Sequence, residues 1–368
     1  MVIANATAVQ SCEVSSFDFF DRLVSVTSNP SATSRDAHID TLRGLACLFL
    51  VFFHVVGDTP EVGLVLPRTH WLHALNDAVS YVRMPLFGLI AGYVYALRPY
   101  KGDTGRFFKS KVQRLLLPVL TVGTLFALIQ ARVPGAHPDI APRWMLHIIP
   151  VGHFWFLQSL FLVFMVVMAL EQLGALATRR AIFATGIVSA ALYTSWAAPI
   201  YLGLDGAVYL LPFFLGGLAC RRFEMRPTLW RHAAAALLVA AALAVALNPA
   251  ISAADRSNTA SLLLGLSAAF LLVQSHLQGR FLAWLGTYSF AIFLLHVFFT
   301  AASRMALRRL GVTDTYVLLV AGMLMGTAGP MVAALVIRRY WLLDALLMGG
   351  PWALTPARQP AFQQSGIR

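Results

Sequence analysis

Charged residues are scarce in this chain of 368 residues, since Asp, Glu, Lys and Arg together make up 12% of it. Soluble domains carry about 25% charged residues, so this composition argues against a soluble globular enzyme. Intrinsic disorder is excluded as well, because 58% of the residues are hydrophobic. The apolar runs at 233–247 and 262–273 are uninterrupted, unlike the alternating strands of a membrane barrel. A polytopic α-helical membrane protein is therefore predicted.

Cysteine is rare, and Cys12, Cys47 and Cys220 have no C-x-x-C or other metal-binding spacing. Neither a disulfide framework nor a metal site is therefore predicted. The chain also lacks the G-x-x-x-x-G-K-[ST] loop of nucleotide hydrolases, the H-E-x-x-H pair of zinc proteases and the G-x-S-x-G elbow of serine hydrolases. Three common kinds of hydrolytic enzyme thus lose their sequence signatures.

Acidic residues are outnumbered, with 16 Asp and Glu against 28 Lys and Arg and a net charge of +12. In a soluble protein such an excess would suggest nucleic-acid binding. Here the basic residues cluster between apolar segments, where they are typical of topology signals and of contacts with lipid headgroups. Membrane lipids are therefore expected partners, and no nucleic-acid partner is predicted.

Ten apolar segments follow a polar N-terminal stretch, and a bilayer core of about 30 Å needs about 20 helical residues per span. The segments are 41–56, 77–97, 112–131, 153–173, 181–199, 206–220, 232–247, 259–277, 281–304 and 315–337. An all-α integral membrane protein with about ten transmembrane helices is expected. Its expected parts are a polar, flexible cytoplasmic tail at 1–37, a transmembrane domain at 38–340, and an interfacial segment with a short tail at 341–368.

Loop charge predicts the orientation, because cytoplasmic loops are rich in Lys and Arg. The connection at 98–114 is the most basic, and the alternate connections hold fewer basic residues. Both termini are therefore expected in the cytoplasm. One connection opposes this orientation, since Arg304, Arg308 and Arg309 fall on the predicted outer side. No internal repeat is visible, which weakens the case for a transporter built from two halves.

Ionisable side chains inside a membrane are costly, so each is a candidate functional group. Arg43 and His54 are eleven residues apart, which places them on one helix face about 16 Å apart along the axis. Asp40 lies one turn before Arg43 and is expected to pair with it. Gly44 permits close approach of a ligand or of another backbone. In the structural alternative, Arg43 is a surface anchor and His54 makes an interhelical hydrogen bond.

Arg83 is a third ionisable residue in an apolar segment, and Pro85, Gly88 and Gly92 follow it. A proline and two glycines in one span predict a kinked or locally unwound helix. Freed carbonyls and an interior arginine would suit an anionic or polar ligand. The alternative is a kink near the outer interface, with Arg83 reaching towards water.

The basic connection at 98–114 also contains aromatic residues, Phe107 and Phe108. Arginines bind phosphates in a forked geometry and an aromatic ring can stack on adenine, so one interpretation is a nucleotide site. The other is a topology signal that contacts anionic lipids.

Three residues near the ends of later segments are candidates for substrate binding. His153 and Trp155 open the fourth segment, where an aromatic belt and a platform for a sugar ring are both reasonable interpretations. His296 is a second intramembrane histidine, and a lone buried histidine more often has a structural role.

Five motifs in order resemble the membrane acyltransferase-3 family over about 36–337. Arg43 and His54 match its Arg-x10-His opening. The other four matches are MPLF with AGY at 84–93, FFK to RLLLP at 107–118, FWFL at 154–157, and LGTYS to LH at 285–296. Gly88 and Ala91 depart from the family pattern, which has Phe and Ser there. The motif that includes Arg83 is closest to the sugar O-acetylase branch.

The resemblance implies O-acylation of a carbohydrate, most often O-acetylation, with cytoplasmic acyl-CoA (acetyl-CoA) as donor and a surface or exported glycan, such as an exopolysaccharide, as acceptor. It implies a multi-pass protein of the plasma (inner) membrane. His54 would act as the base with Arg43 and Asp40, and no metal is needed because the thioester is already activated. The CoA phosphates would be held by Arg43, Arg106, Lys109, Lys111 and Arg114. The acceptor would be bound by Arg83, His153, Trp155, Tyr288 and His296.

Two other functions stay open at this stage. A transporter or flippase of a lipid-linked sugar would use the same interior arginines for binding without acyl chemistry. A non-catalytic membrane scaffold would leave the shared face of Arg43 and His54 unexplained. Within the enzyme hypothesis, His54 either deprotonates the sugar hydroxyl directly or first accepts the acyl group.

Overall fold

A computed structural model describes residues 36–133, 142–223, 227–247 and 258–351. All regular secondary structure in these ranges is helical, and it includes twelve α-helices. In chain order they are α1 Ala37–Val56, α2 Trp71–Leu97, α3 Thr104–Gln130, α4 Trp155–Gln172, α5 Arg179–Ser195, α6 Leu204–Arg222, α7 Pro227–Leu247, α8 Thr259–Gln274, α9 Arg280–Thr287, α10 Ser289–Arg309, α11 Thr315–Ile337 and α12 Trp341–Met348. Of the tail predicted at 1–37, residues 1–35 lie outside the described ranges. Cys12 and the C-terminal stretch 352–368 lie outside them as well.

Helices occur at all ten predicted apolar segments, and seven helices of the described ranges are long and apolar enough to cross a membrane. These seven are α1, α3, α4, α6, α7, α10 and α11. Several helices begin earlier than predicted, and at the two largest differences, in α2 and α3, a polar residue caps the helix. His70 accepts a hydrogen bond from the first turn of α2, and Asp103 accepts one from Arg106 N in α3. The basic residues from Arg106 onwards therefore lie on a helix.

The predicted continuous span at 281–304 is wrong, because Tyr288 has a non-helical backbone and separates α9 from α10. The reason is the docking of α9 on α1. A side chain at Gly286 would collide with the Asp40 carbonyl, and one at Gly44 would collide with the Leu282 carbonyl. The two backbones are therefore in direct contact, and the chain is interrupted where this contact ends.

Of the two forms predicted around Pro85, a kinked or a locally unwound helix, the unwound form is wrong, because α2 is helical without interruption from Trp71 to Leu97. Pro85 cannot donate a hydrogen bond to the Tyr81 carbonyl. That carbonyl lies instead against Gly265 of α8, where an added Cβ would be 2.9 Å from its oxygen. Gly92 permits close packing on α6, since a side chain there would meet the Phe214 carbonyl.

Helix α3 has two π-helical stretches, Val112–Leu116 and Val119–Gly123, on either side of Pro118. Proline lacks a backbone donor and widens the turn that precedes it. Helix α12 lies against this region, because Thr121 Oγ1 donates to the Leu346 carbonyl at 2.8 Å and Gln113 donates to the Gly350 carbonyl. The predicted interfacial segment thus packs on α3 over its described part.

Candidate active site

Three histidines from separate elements meet at one place in the fold. His54 lies in the last turn of α1, His153 in the short 3-10 turn Gly152–Phe154 that precedes α4, and His296 in α10. The ring centroid of His296 is 4.8 Å from that of His54 and 4.9 Å from that of His153, and the His54 and His153 centroids are 5.8 Å apart. The structure therefore brings together three of the predicted site residues.

His296 is fully buried, and its backbone contacts fix its tautomer. Its Nδ1 lies 2.8 Å from the Ile292 carbonyl and 3.0 Å from the Phe293 carbonyl, so Nδ1 carries the proton and donates. The lone pair is then on Nε2, which is buried and has no hydrogen-bond partner among the described residues. An imidazole fixed in this way can orient a neighbouring one.

A cavity of about 1020 Å³ opens beside the histidines. His54, Arg83, His153 and Trp155 contribute to its wall, whereas His296 stands behind it. Most of the remaining wall is apolar and consists of Leu50, Phe53, Val62, Val65, Met84, Phe126, Ile129, Val133, Phe293, Val297, Phe298, Ala301, Ala302, Met305 and Ala306. Few polar groups on an apolar wall are typical of a ligand site.

Arg83 is buried inside the protein, since only 3% of it is exposed. Its guanidinium carbon is 3.6 Å from the centre of the Phe53 ring, in the helical turn of α1 that also carries His54. A buried cation held on an aromatic face keeps a strong electrostatic effect on nearby groups. Arg83 therefore places a positive charge on the same cavity wall as His54.

The opposite end of α1 carries the pair predicted from sequence. Arg43 Nη1 is 2.9 Å from Asp40 Oδ1, which confirms the predicted pairing. The Arg43 side chain is one third exposed, and neither residue lines the cavity. Tyr288 packs near this end in a cluster with Trp284 and Arg338, at 6.0 Å between the aromatic rings, and is also away from the cavity wall.

The four basic residues predicted to bind phosphates lie on the first half of α3, and the structure does not bring them to the cavity. Arg106, Lys109 and Arg114 are exposed, and Lys111 Nζ lies 3.6 Å from the centre of the Phe164 ring. Phe107 is half-buried and makes edge contacts with the rings of Tyr95, Tyr100 and Phe164. Phe108 remains half-exposed.

The segment that carries His153 is held by His147, which no sequence motif indicated. His147 has a left-handed backbone with φ of 66°, and its Nε2 shares a hydrogen bond of 2.8 Å with Thr124 Oγ1 of α3. Gln158 Nε2 donates to the His147 carbonyl at 2.8 Å. Burial lowers the pKa of His147 below its ordinary value, so the neutral imidazole is favoured.

Other wall residues were not proposed as site residues from the sequence. Glu61 and Gln130 are two of them, and Arg304, Arg308 and Arg309 are three more. The arginines did leave a signal, because they were the exception to the predicted loop-charge pattern. No group of three or more His, Cys, Asp or Glu side chains in the described ranges is arranged to hold a metal ion.

Comparison with known proteins assigns the family. The family model of the acyltransferase-3 domain, described as an acyltransferase domain, matches residues 36–337. No curated protein and no solved structure matches the chain. The matched range contains the Asp40–Arg43 pair, the three histidines and the cavity wall. The chain therefore belongs to the acyltransferase-3 family.

Proposed function

We propose that the protein transfers an acyl group, in the simplest case acetyl, from acyl-CoA to a hydroxyl group of a glycan bound in the cavity. The observation that carries this proposal is the placement of His54 on the wall of a large cavity, with a buried histidine behind it. A sugar hydroxyl needs a base to become a nucleophile, and a neutral imidazole is the usual one. The membership in an acyltransferase family supplies the reaction class.

In the direct form of the reaction, His54 takes the proton of the sugar hydroxyl while the oxygen attacks the thioester carbonyl. The new C–O bond replaces the C–S bond, and the CoA thiolate leaves and recovers a proton from the imidazolium. Negative charge develops on the carbonyl oxygen, and Arg83 on the same wall would stabilise it. His296 would hold the His54 ring in a productive orientation through the contact between the two rings, whose centroids are 4.8 Å apart.

A relay through His54 stays an alternative within the same proposal. In that form the His54 nitrogen attacks the thioester, the C–S bond breaks, and the thiolate leaves with the imidazole proton. The sugar hydroxyl oxygen then takes the acyl group from the acyl-imidazole, and its proton returns to the ring. The distance from Arg43 to His54 sets how far a bound CoA must reach in either form of the reaction. Eleven residues of helix separate Arg43 from His54 by about 16 Å, so a CoA bound through Arg43 has to extend its pantetheine arm along α1.

The donor site proposed for the CoA phosphates combines Arg43 with Arg106, Lys109, Lys111 and Arg114. The support is chemical, since exposed basic side chains bind phosphates by charge-assisted hydrogen bonds. Under the proposed orientation in the plasma membrane, with both termini cytoplasmic, these residues face the compartment that contains acyl-CoA. His153 and Trp155 would contact the acceptor from the cavity wall.

The decisive test is acetyl-CoA turnover by purified protein in nanodiscs, followed as release of free CoA with and without a mixed glycan extract. We expect His54→Ala to lose at least about 100-fold of the rate, the lower limit for loss of a general base. His232→Ala is the matched control, because His232 is an exposed histidine on α7. If wild type releases no CoA but binds a lipid-linked sugar, a transporter or flippase replaces the enzyme proposal.

A further inference from the structure

Three arginines near the end of α10 form a cluster that the proposed reaction does not use. Arg304, Arg308 and Arg309 all line the cavity that contains His54. Arg304 is half-buried and lies within the apolar helix, one turn before the other two. A charge at such a position is costly, and it persists when it has a functional partner.

The cluster lacks acidic partners of its own. The ion pairs between described residues join Arg43 to Asp40, Arg68 to Asp77 and Arg222 to Glu171. Within the described ranges, none of the three cavity arginines has a carboxylate oxygen within 4.0 Å. Arg308 Nη2 donates to the Leu64 carbonyl at 3.0 Å, which ties its guanidinium to the loop beyond α1.

Among the described residues, Asp58 and Glu61 line the same cavity without an ion pair to these arginines, and helix geometry adds repulsion between the arginines themselves. Arg304 and Arg308 are four residues apart, so they lie on one helix face and repel each other. Arg308 and Arg309 lie in the last turn, where the helix dipole favours positive charge. The dipole falls off within one turn and does not explain Arg304. Loop-charge topology does not explain the cluster either, because the predicted orientation places it on the outer side.

We propose that Arg304, Arg308 and Arg309 form a subsite for an oxyanion, a phosphoryl or carboxylate group, carried by the acceptor saccharide. The guanidinium groups suit such an anion because each presents a planar fork of donors. The acceptor part of this inference rests on the proposed function. An acidic group anchored here belongs to the same ligand whose hydroxyl reaches His54, since both sites line one cavity.

The test measures binding without acyl chemistry. Wild-type protein in uncharged detergent is dialysed against radiolabelled inorganic pyrophosphate and against glucuronate, with glucose as the neutral control. We expect saturable, salt-sensitive binding of at least one anion and none of glucose. Arg304→Gln should weaken that binding at least about 10-fold, as for loss of a hydrogen bond to a charged group. Arg309→Gln should also weaken the binding. Because Arg309 is exposed, misfolding of this variant would not account for the loss.

Arg132→Gln is the matched control, because Arg132 lies near a helix end and, like Arg308, donates to a backbone carbonyl, that of Leu128, but does not line the cavity. Equal binding by wild type, Arg304→Gln and Arg309→Gln, or no anion binding at all, overturns the proposal. Loss of probe binding in nanodiscs rich in phosphatidylglycerol, but not in zwitterionic ones, assigns the site to lipid headgroups and overturns the acceptor assignment. Anion binding by a protein that shows no CoA turnover supports the subsite and rejects only the enzyme proposal.

Discussion

The two ends of α1 are built in opposite ways. At the Arg43 end the charged groups are paired with each other, and Gly44 and Gly286 bring the backbones of α1 and α9 into contact. At the His54 end three imidazoles surround one edge of a large cavity, and two buried ring nitrogens, on His153 and His296, have no hydrogen-bond partner among the described residues. Close packing favours stability, whereas open space beside unsatisfied polar atoms is typical of functional sites. We therefore expect changes at the first end to affect donor binding and folding, and changes at the second to affect turnover.

Among variants that leave the cavity wall unchanged, the largest loss of turnover should come from a change at the His54 end. His296→Asn removes the ring that contacts His54, and we expect kcat to fall by about 10- to 100-fold, as when an orienting partner of an imidazole is lost. The KM for acetyl-CoA should stay unchanged, because His296 stands behind the cavity. Steady-state measurements of CoA release give kcat and KM separately and so check this prediction. An altered KM with constant kcat would place His296 in substrate binding and break the comparison.

A smaller effect of the opposite kind is expected at the other end. Arg43→Ala should raise the KM for acetyl-CoA by about 10-fold, since a hydrogen bond to a charged group contributes roughly 1.5–3 kcal/mol. Its kcat should change little, because Arg43 is too far from His54 to contact the reacting atoms. Asp40→Asn keeps Arg43 but loosens its orientation, so its effect on KM should be smaller. A fall in kcat for Arg43→Ala at saturating acetyl-CoA would contradict the separation of roles.

The sequence was sufficient for the helices and for contacts within one helix. Apolar length located helices at all ten predicted segments, and the spacing of three residues predicted the Asp40–Arg43 pair. The break at Tyr288 was not predicted, because the interruption depends on how α9 docks on α1. The continuous helix through Pro85 was missed for a similar reason, since Gly265 on α8 covers the carbonyl that the proline leaves unbonded.

Contacts between distant elements were not predictable in the candidate site either. The family motifs contain His54 and His296, and His153 was named because it opens the fourth segment. That the three meet depends on elements that are distant in sequence. His147 gave no signal, because its importance comes from a left-handed backbone and from a contact with α3. The arginines of α10 appeared only as an exception to the loop-charge rule. That exception marked a part of the cavity wall.

The dense packing at the Arg43 end can be tested through stability. Gly286→Ala places a Cβ against the Asp40 carbonyl, so we expect a loss of about 1–3 kcal/mol, the usual cost of overpacking. Gly186→Ala on α5 is the matched control, because its Cβ would meet no atom within 4 Å. That variant should be neutral or gain up to about 1 kcal/mol from helix propensity. Thermal unfolding in detergent compares the two, and equal unfolding temperatures would show that the α1–α9 contact is not tight.

The smallest effect concerns pH at the His54 end. Burial lowers the pKa of His147 in the folded protein, whereas an unfolded chain protonates histidine near a pKa of about 6.5. The unfolded state then binds more protons, so stability should fall as the pH drops below about 6.5. His147→Asn keeps a residue that tolerates a positive φ but does not titrate, and its unfolding temperature should fall less than that of wild type between pH 7.5 and 5.5. His232→Asn, at an exposed site, should behave like wild type. If the unfolding temperature of His147→Asn falls as much as that of wild type over this range, protonation of other groups causes the pH dependence and protonation of His147 does not.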